Sequence, residues 1–395
     1  MNPRRLSIAY FTNTEVRAGV EEHILTLLRG LDRRSFHPYL ICPPALIELM
    51  RADIPADVEI LPLNLVEPTQ FGAAWRLARF LRAKRIDVLH SHMFRSSRLA
   101  SPVGWLCRVP LIVETAHGRE DWRRGWFKSR FVVDRIAGRF VDAYIAVSSG
   151  CGAYLAERKG LPQAKINVIP NGCDIRRFSE VTTPPVTLKR ALGFRDVDPV
   201  LVVVGRLEPQ KGHSVLLQSL VRVRAEFPNV HLVCVGDGDL RAALEKQAGA
   251  LGLTEAVRFV GYQHDVGNWF ALADVVVLPS FYEGMPLVAI EALAAGRAMV
   301  ATAVDGTSEV VIHEKTGLTV AAGDPSALAG AICQLLRDPA KRRDLGHSGK
   351  QWVRDHFSEE GQIQKTEQLY LSLLPKLRPL MIEDVDEDSS QPAAI

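Results

Sequence analysis

Two glutamates eight positions apart mark the segment of the sequence with the clearest chemistry. Glu283 lies in a short loop after an apolar run, and Glu291 lies inside the helix predicted to follow. With a rise of about 1.5 Å per residue, the two carboxylates are about two helical turns apart and can face one cleft. Carboxylates accept hydrogen bonds from paired hydroxyls, which sugars and riboses present. For two isolated glutamates, the simpler interpretation is a helix cap at Glu283 and a solvated residue at Glu291.

The start of the predicted helix between these glutamates suits an anionic group. Pro286 stands at a first-turn position, where its missing N–H is harmless. The N–H groups at a helix start lack partners within the helix and lie at its positive dipole end. We therefore expect this turn to suit a phosphate.

A second segment places two cations in a loop between a strand and a helix. An apolar strand is predicted to end at Gly205, which permits a close approach of the backbone. Arg206 and Lys211 follow it, before a helix at Ser214–Val223. Arginine binds phosphate in bidentate fashion, and lysine acts as a point charge. Taken alone, the pair is explained equally well as two surface cations.

The elements that carry these segments follow an alternating βα pattern. Short apolar runs alternate with amphipathic stretches such as Glu21–Leu31 and Ala73–Lys84, as is typical of parallel strands covered on both faces. In the first half the runs are Leu6–Phe11, Pro38–Cys42, Val58–Leu61, Asp87–His90, Leu111–Glu114, Tyr144–Val147 and Asn167–Ile169. In the second half they are Val200–Gly205, His231–Gly236, Val257–Gly261, Asp274–Pro279, Ala298–Thr302 and Leu318–Val320. The sequence therefore predicts an α/β protein with two doubly wound parallel sheets and a crevice at the carboxyl ends of their strands.

The break between the two βα series sets the predicted domain boundaries. Residues 1–180 form an N-terminal Rossmann-like domain, and the proline-containing stretch 181–198 is predicted as a linker. Residues 199–357 form a second Rossmann-like domain. A helix within 358–380 is expected to pack back on the first domain, and the acidic tail 381–395 is expected to be disordered.

In their order along the chain, these segments resemble the retaining glycosyltransferases of the GT-B fold, of the glycosyl transferases group 1 type in glycosyltransferase family 4. The resemblance covers nearly all of residues 5–375 and includes the Glu-x7-Glu spacing and the Gly-Arg-x4-Lys-Gly segment. One departure is Ala18, where many members have a second glycine, and it reduces the freedom of the first loop. Further matching pieces are Gly19-Val-Glu21-Glu-His23, His90-Ser-His92, Thr115-Ala-His117-Gly118, Pro170-Asn-Gly-Cys-Asp174, Gly236-Asp-Gly238 and Gly306-Thr-Ser-Glu309.

The resemblance implies a binding site for a nucleotide-sugar donor. Arg206 and Lys211 would neutralise the diphosphate, and Glu291 would hold the ribose hydroxyls. Glu283 would hold the donor sugar together with backbone groups, and His117 would lie near the transferred sugar and the acceptor. The residues expected in catalysis are His117, Arg206, Lys211 and Glu283. The residues expected to contact the donor are Gly19, Gly205, Arg206, Lys211, Gly284, Met285, Pro286, Leu287 and Glu291.

The resemblance also implies transfer of a hexose-type sugar with retention of anomeric configuration. No metal or other cofactor is expected, because fixed cations take its place at the leaving diphosphate. Three Asp-x-Asp strings, at 196–198, 237–239 and 384–386, are accordingly not expected to bind a metal. The nucleotide-sugar is a co-substrate, with uridine favoured over guanosine as the base. No carboxylate is well placed as a nucleophile, so we hypothesise a front-face route in which the leaving phosphate takes the acceptor proton.

The composition bounds the class of protein. The 395 residues are 47% hydrophobic and 24% charged, which fits a globular protein of two domains. The six cysteines are scattered, as in a reducing compartment. Neither a membrane-spanning run of about 20 apolar residues nor a secretory signal is predicted. We therefore expect a cytoplasmic protein, at the inner face of the cell membrane if it binds one. Residues 1–180 carry a net charge of +9 and the remainder −6, which favours an anionic partner for the first domain.

A basic and aromatic stretch at residues 119–139 suggests one such partner. It holds seven Lys and Arg, three Asp and Glu, and the aromatic residues Trp122, Trp126, Phe127 and Phe131. A surface helix of this kind can dip into an anionic membrane, where a lipid-linked or cell-surface polysaccharide acceptor would lie. A solvated basic helix that packs its aromatic residues on the domain explains the pattern equally well. Nucleic-acid binding is not expected, because no recognised module accompanies the stretch.

Three other functions compete with transfer as explanations of the sequence. The stretch Val233–Arg241 looks like a dinucleotide fingerprint, but Arg241 replaces the third glycine, which argues against a nicotinamide-dependent oxidoreductase. A sugar-nucleotide epimerase of the same fold should not need the Glu283 and Glu291 pair, and it would turn over donor without an acceptor. A catalytically inactive scaffold that binds sugar nucleotides is disfavoured, because all the candidate catalytic residues are present together.

Overall fold

The computed structural model describes residues 4–120, 131–178 and 182–377, and it contains two parallel sheets. The first sheet has the order β3-β2-β1-β4-β5-β6-β7 and the second the order β10-β9-β8-β11-β12-β13. The strands of the first are β1 Leu6–Phe11, β2 Phe36–Cys42, β3 Glu59–Pro62, β4 Val88–His92, β5 Leu111–Ala116, β6 Ala143–Ala146 and β7 Ile166–Val168. Those of the second are β8 Val200–Val204, β9 His231–Val235, β10 Val257–Gly261, β11 Val275–Leu278, β12 Met299–Thr302 and β13 Leu318–Val320.

Helices connect successive strands, as the alternating pattern predicts. In the first domain they are α1 Gly19–Gly30, α2 Pro44–Met50, α3 Phe71–Ala83, α4 Phe94–Leu106, α5 Val132–Ala137 and α6 Ser149–Ala153. The later helices are α7 Pro185–Ala191, α8 His213–Glu226, α9 Arg241–Ala250, α10 Gly267–Leu272, α11 Leu287–Ala294, α12 Thr307–Val310, α13 Pro325–Arg337, α14 Pro339–His356 and α15 Glu359–Leu377. None of the described helices is both long and apolar enough to cross a membrane.

The two-sheet α/β fold confirms the predicted fold class. Each of the thirteen predicted strands is present, with bounds that differ by at most two residues. The central strands are covered on both faces: every residue of β4 and of β5 is buried, which is why they form short apolar runs without alternation. In each sheet the order of winding reverses beside the first strand, β1 or β8. Loops that leave the strands at this point diverge and open a crevice at the carboxyl ends.

The segment predicted as a linker, 181–198, contains helix α7. Leu188 and Leu192 pack against the apolar core of the second domain. Phe194, which follows, is only 4% exposed and belongs to the same core. Part of this segment is therefore built into the second domain rather than extended between the two.

The last described helix, α15, lies against the first sheet. Tyr370 is fully buried there, and its hydroxyl lies 2.6 Å from Nδ1 of His90 in the middle of β4. Ile363 and Leu374 join the same apolar core, and a Cβ atom on Gly30 would lie 2.0 Å from Ile363 Cδ1. The chain thus returns to its first domain after completing the second. The predicted disordered tail, 381–395, lies outside the described residues.

Candidate active site

The two domains meet in direct backbone contact at the carboxyl ends of their strands. The loop after β5, which holds His117 and Gly118, touches the loop between β11 and α11 at Gly284. A Cβ atom on Gly284 would lie 1.9 Å from the carbonyl oxygen of His117, so only glycine fits. Oγ of Ser148 donates to the Gly284 carbonyl oxygen at 2.8 Å. Two predicted site residues, His117 and Gly284, therefore face each other across the domain interface.

Lys211 and Glu283 form an ion pair on the C-terminal side of this interface. Nζ of Lys211 lies 2.6 Å from Oε1 of Glu283, and the two side chains are only 16% and 6% exposed. Oγ of Ser280 donates to the same carboxylate oxygen at 2.7 Å. The backbone N–H of Glu283 donates to Oδ2 of Asp305 at 3.1 Å. Two residues that are 72 positions apart are thus held together as a fixed charge pair.

Arg206 extends this cationic surface towards the first domain. Its side chain is 49% exposed and pairs with Glu208 at 2.6 Å. Burial raises the pKa of Glu21 in α1, whereas the positive charge of Arg206 lowers it. Arg206 therefore lies at the opening between the domains. Gly205, directly before it, lies beside the Lys211 stem, which a Cβ atom would meet at 3.6 Å.

Two helices begin beside the ion pair. Helix α8 begins after Gly212, which has a φ of 67° and whose Cβ, if present, would lie 2.0 Å from the carbonyl oxygen of Pro279. Helix α11 begins after Pro286. The sequence predicts Pro286 within the first turn, whereas in the structure it directly precedes that turn. Among the described residues, no side chain caps either N terminus. The first N–H groups of both helices are therefore available to an anion.

Other residues predicted to contact the donor lie near the start of α11. Cδ1 of Leu287 lies 3.7 Å from the position of a Cβ atom on Gly19, so the first loop of the N-terminal domain reaches the second domain. Ala18 does not disrupt the start of α1, because its N–H donates to Oε2 of Glu21 at 2.9 Å. Met285 is buried, and its carbonyl oxygen accepts a hydrogen bond from Nδ2 of Asn171 at 3.2 Å.

Glu291 lies further along α11 and is partly buried. Burial raises its pKa to about 7, while the positive charge of Arg177 lowers it and the negative charge of Glu22 raises it further. Since Glu22 belongs to α1, Glu291 faces the N-terminal domain across the crevice.

The N-terminal side of the interface is lined by imidazoles. Nδ1 of His92, at the end of β4, lies 3.1 Å from Nε2 of His117. The ring of His23, on α1, packs edge-on against both, with ring centroids 4.8 Å from His117 and 5.3 Å from His92. Nδ1 of His23 lies 2.9 Å from Oδ1 of Asn171, whose amide nitrogen binds the second domain at Met285. Asn171 therefore connects this cluster to the loop that precedes α11.

Burial keeps these imidazoles neutral at physiological pH. It lowers the pKa of His23 to about 4 and lowers the pKa values of His92 and His117 well below the usual histidine range. His90 stacks on His92 with ring centroids 4.5 Å apart, and burial lowers its pKa as well. A neutral imidazole has one donor and one acceptor nitrogen, which is the complement of a sugar hydroxyl.

Within the described residues, the group that could hold a metal ion is the set His23, His92 and His117. The Asp-x-Asp strings differ from this cluster. In the first of them, the Asp198 carboxylate is already paired with Arg195 at 2.7 Å. The third string, at 384–386, lies outside the described residues.

Sequence comparison identifies the family. Residues 17–177 match the Glycosyltransferase Family 4 profile, and residues 187–352 match the Glycosyl transferases group 1 profile. A glycogen synthase of Mycobacterium tuberculosis is 34% identical over 300 residues, which are 74% of this chain and 70% of that protein. The chain belongs to this glycosyltransferase family. It is an enzyme with the GT-B fold.

One further relative and one solved structure are similar to this chain. The GDP-mannose-dependent alpha-(1-6)-phosphatidylinositol monomannoside mannosyltransferase of Mycolicibacterium smegmatis is 30% identical over 307 residues, covering 75% of this chain and 78% of that one. The crystal structure of Anabaena HepE in complex with UDP and glucose superposes with a TM-score of 0.82 at 20% identity, covering 93% of this chain and all of that one. At that identity the second likeness shows the fold alone.

Several residues of this candidate site were not predicted as site residues. Ser280 and Asp305 hold the Glu283 loop, and neither carries a pattern that distinguishes it from an ordinary loop residue. His23 and His92 contact His117, although the sequence pointed to them only as parts of family-like loops. The available signal was their position, because His92 ends a strand of the same sheet as β5. The stretch 119–139 can be followed only in part, since residues 121–130 lie outside the described residues.

Proposed function

We propose that the enzyme transfers a hexose-type sugar, with retention, from a uridine diphosphate sugar to a lipid-linked or cell-surface polysaccharide intermediate. The observation that carries this proposal is the partly buried Lys211–Glu283 pair, 2.6 Å apart, beside two uncapped helix starts and opposite His117. A fixed cation and free N–H groups in one place suit a diphosphate. Glu283 joins that anion site to the interface where a sugar would lie.

The donor would bind with its charge on the C-terminal domain. Lys211 and Arg206 would neutralise the diphosphate, and the N terminus of α11 would add backbone N–H donors. The carboxylate of Glu291 would accept hydrogen bonds from the ribose hydroxyls. The sugar would then extend towards Gly284 and His117, where the acceptor enters from the first domain.

The chemistry follows from where charge develops. Cleavage of the sugar–phosphate bond leaves negative charge on the diphosphate, and preorganised cations lower the energy of that state most. This arrangement supports transfer without a metal. Neutral His117 would orient a sugar hydroxyl, and the departing phosphate oxygen would accept the proton of the acceptor hydroxyl on the same face of the sugar. Trapping of a covalent glycosyl-enzyme would contradict this front-face route.

The function is tested by nucleoside diphosphate release from a panel of uridine and guanosine diphosphate sugars, with EDTA present. Slow hydrolysis to water needs no known acceptor, so release from one donor is expected and identifies it. Release should be lost in Glu283→Gln and retained in Glu245→Gln, which alters an exposed glutamate of α9. The absence of both binding and release for every donor would contradict the proposed function.

The same assay distinguishes the alternatives. Binding of a sugar nucleotide without release, even with acceptor extracts present, would favour the inactive scaffold. Recovery of an epimerised sugar nucleotide, without an acceptor, would favour an epimerase. Preference for a guanosine over a uridine diphosphate sugar would change the proposed nucleotide of the donor and would still support the transferase function.

We further propose that residues 119–139 bring the enzyme to an anionic membrane surface. Described residues near this stretch support the idea. Trp105 and Leu106 are 57% and 65% exposed at the end of α4, and Val133 and Ile136 are exposed on α5. The Trp105 ring lies 5.4 Å from that of Phe140. Exposed apolar side chains beside a basic stretch fit the boundary of a bilayer.

Sedimentation with vesicles tests the membrane proposal. Wild type should co-sediment with vesicles containing anionic phospholipid and much less with neutral vesicles. The double variant Trp122→Ser, Trp126→Ser should lose this binding, whereas Tyr262→Ser should retain it, because Tyr262 is an exposed aromatic residue of the second domain. Equal sedimentation of the double variant and wild type would contradict the proposal.

A further inference from the structure

The three imidazoles on the N-terminal side of the interface converge on one point. His23, His92 and His117 each offer a ring nitrogen, and these atoms lie within 4.8 Å of one another. Nδ1 of His92 and Nε2 of His117 are already 3.1 Å apart. Zinc–nitrogen bonds of about 2.0–2.1 Å in a tetrahedral site put ligand nitrogens about 3.3 Å apart. Small ring rotations would therefore bring all three nitrogens to ligand distance.

The chemical state of these rings suits ligation. A metal ion needs the lone pair of a neutral imidazole, and burial keeps all three rings neutral. Nε2 of His92 is buried and has no hydrogen-bond partner among the described residues. A buried polar nitrogen without a partner is destabilising. His92, which contacts His117, therefore has one ring nitrogen that forms no hydrogen bond with the described residues.

Neighbouring amides hold the His23 ring in position. Oδ1 of Asn171 lies 2.9 Å from Nδ1 of His23. The amide nitrogen of Gln362 lies 3.0 Å from Nδ1 and 3.4 Å from Nε2 of the same ring. Side chains that fix the orientation of a liganding imidazole are a regular part of metal sites. His117 is only partly buried, so the cluster can be reached from the crevice.

The donor set selects a class of metal. Three neutral nitrogens without a carboxylate suit Zn²⁺, Co²⁺, Ni²⁺ or Cu²⁺, whereas Mg²⁺ and Ca²⁺ prefer oxygen ligands. Such a set leaves further coordination positions open to water or to a hydroxyl.

We propose that His23, His92 and His117 form a binding site for a divalent transition metal ion such as Zn²⁺, and that its occupation inhibits the enzyme. An ion at this point takes the lone pair that His117 would offer to a sugar hydroxyl. It also ties α1 to the ends of β4 and β5. The inhibition part rests on the proposed transfer reaction, whereas the binding part does not.

Binding is measured with Co²⁺ on the full-length chain, without a histidine tag and after removal of metal by a chelator. One Co²⁺ per chain, with the visible absorption of nitrogen-ligated cobalt and displacement by Zn²⁺, is expected. Two separate variants, His23→Gln and His92→Asn, should each weaken binding by about tenfold or more. His347→Asn, an exposed histidine of α14, should bind as wild type does. Thermal unfolding identifies a variant that does not fold. In that case, Co²⁺ binding by the other variant tests the site.

Inhibition is measured by nucleoside diphosphate release from the preferred donor. Zn²⁺ at the concentration that displaces Co²⁺ should suppress release, and EDTA should restore it. The absence of saturable 1:1 binding, or equal affinity in both cluster variants and wild type, would overturn the site. Binding without suppression would overturn the inhibition. A wild-type enzyme that binds Co²⁺ but neither binds any donor nor releases nucleoside diphosphate from one would contradict the proposed function and leave the metal site standing.

Discussion

The two sides of the crevice differ in charge. The C-terminal side presents charge: an exposed arginine, a partly buried lysine–glutamate pair and two uncapped helix starts. The N-terminal side presents neutral rings, since burial keeps His23, His92 and His117 uncharged. In the proposed function, a diphosphate would bind on the first side and a sugar hydroxyl on the second. One interface could then hold an anionic leaving group and still offer a neutral surface for transfer.

The sharpest test of this contrast is removal of the partly buried cation Lys211. Lys211→Ala should lower kcat/KM for the donor by about 10³-fold, because it removes a preorganised charge from the leaving diphosphate. Steady-state nucleotide release measures the effect. Lys246→Ala, at an exposed lysine of α9, is the matched control and should change nothing. A loss below tenfold, in a variant that unfolds like wild type, would mean that Lys211 does not contact the diphosphate.

The contact between the two sides is tested at Gly284. Gly284→Ala places a Cβ atom 1.9 Å from the carbonyl oxygen of His117, so the domains must separate. Transfer should fall on the order of 10²-fold, because displacements of about 1 Å misalign the reacting groups, while nucleotide affinity is retained. Gly330→Ala, where a Cβ atom meets nothing within 4 Å, should be active. Equal activity of the two variants would show that closure at this point is not needed.

On the neutral side, His117→Asn should have a moderate effect. Loss of its hydrogen bond to the sugar should cost about 2 kcal/mol, which is about 30-fold in kcat/KM. Because burial lowers the pKa of His117, its contribution should be constant between pH 6 and pH 8. Kinetics at both pH values check this, with His347→Asn as the control. A His117-dependent step in the pH profile near pH 6.5 would instead indicate an exposed, titrating imidazole.

The smallest expected effect is pH-dependent and belongs to Glu291. Its pKa is raised to about 7, so it loses its charge as the pH falls below 7 and accepts ribose hydrogen bonds less well. Donor KM should rise as pH falls from 8 to 6, and Glu291→Gln should remove that dependence at a cost of about tenfold at pH 8. An unchanged pH profile in the variant would place the ribose elsewhere.

The same raised pKa predicts a stability effect of the opposite sign. The folded state binds the Glu291 proton more tightly than the unfolded state, so stability from this group is complete below about pH 4.5 and is lost as pH rises through about 7. Glu291→Gln should therefore be more stable than wild type at pH 8 and not at pH 4.5. Denaturant unfolding at the two pH values measures the difference, and lower stability of the variant at pH 8 would contradict the assigned burial.

The C-terminal side of the crevice could be predicted from the sequence to a greater extent than the N-terminal side. Gly205 to Gly212 and Glu283 to Glu291 are continuous segments, so their spacing alone indicates a strand end, a cation pair and a helix start. The pairing of Lys211 with Glu283 could not be predicted locally, because it depends on β8 and β11 lying side by side in the sheet. The fold itself was predictable, since each strand forms a short apolar run.

The neutral side could not be assembled in this way. His23, His92 and His117 come from α1, β4 and the loop after β5, and they meet only because the sheet order places β1, β4 and β5 together. Their low pKa values arise from burial, which no local pattern reports. The linker predicted at 181–198 shows the same limit, because its leucines are seen to be core residues only once the second domain is present.

The central claim is that the C-terminal side binds the diphosphate of the donor without a metal. Calorimetric titration of uridine and guanosine diphosphate into the enzyme, with EDTA present, tests it most directly. Arg206→Ala is the decisive variant, because this exposed side chain pairs with Glu208 at the surface and its removal should leave the fold intact. The account predicts saturable 1:1 binding of one nucleotide by wild type and binding about tenfold or more weaker in the variant. No binding of either nucleotide, or equal affinity in the variant, would contradict it.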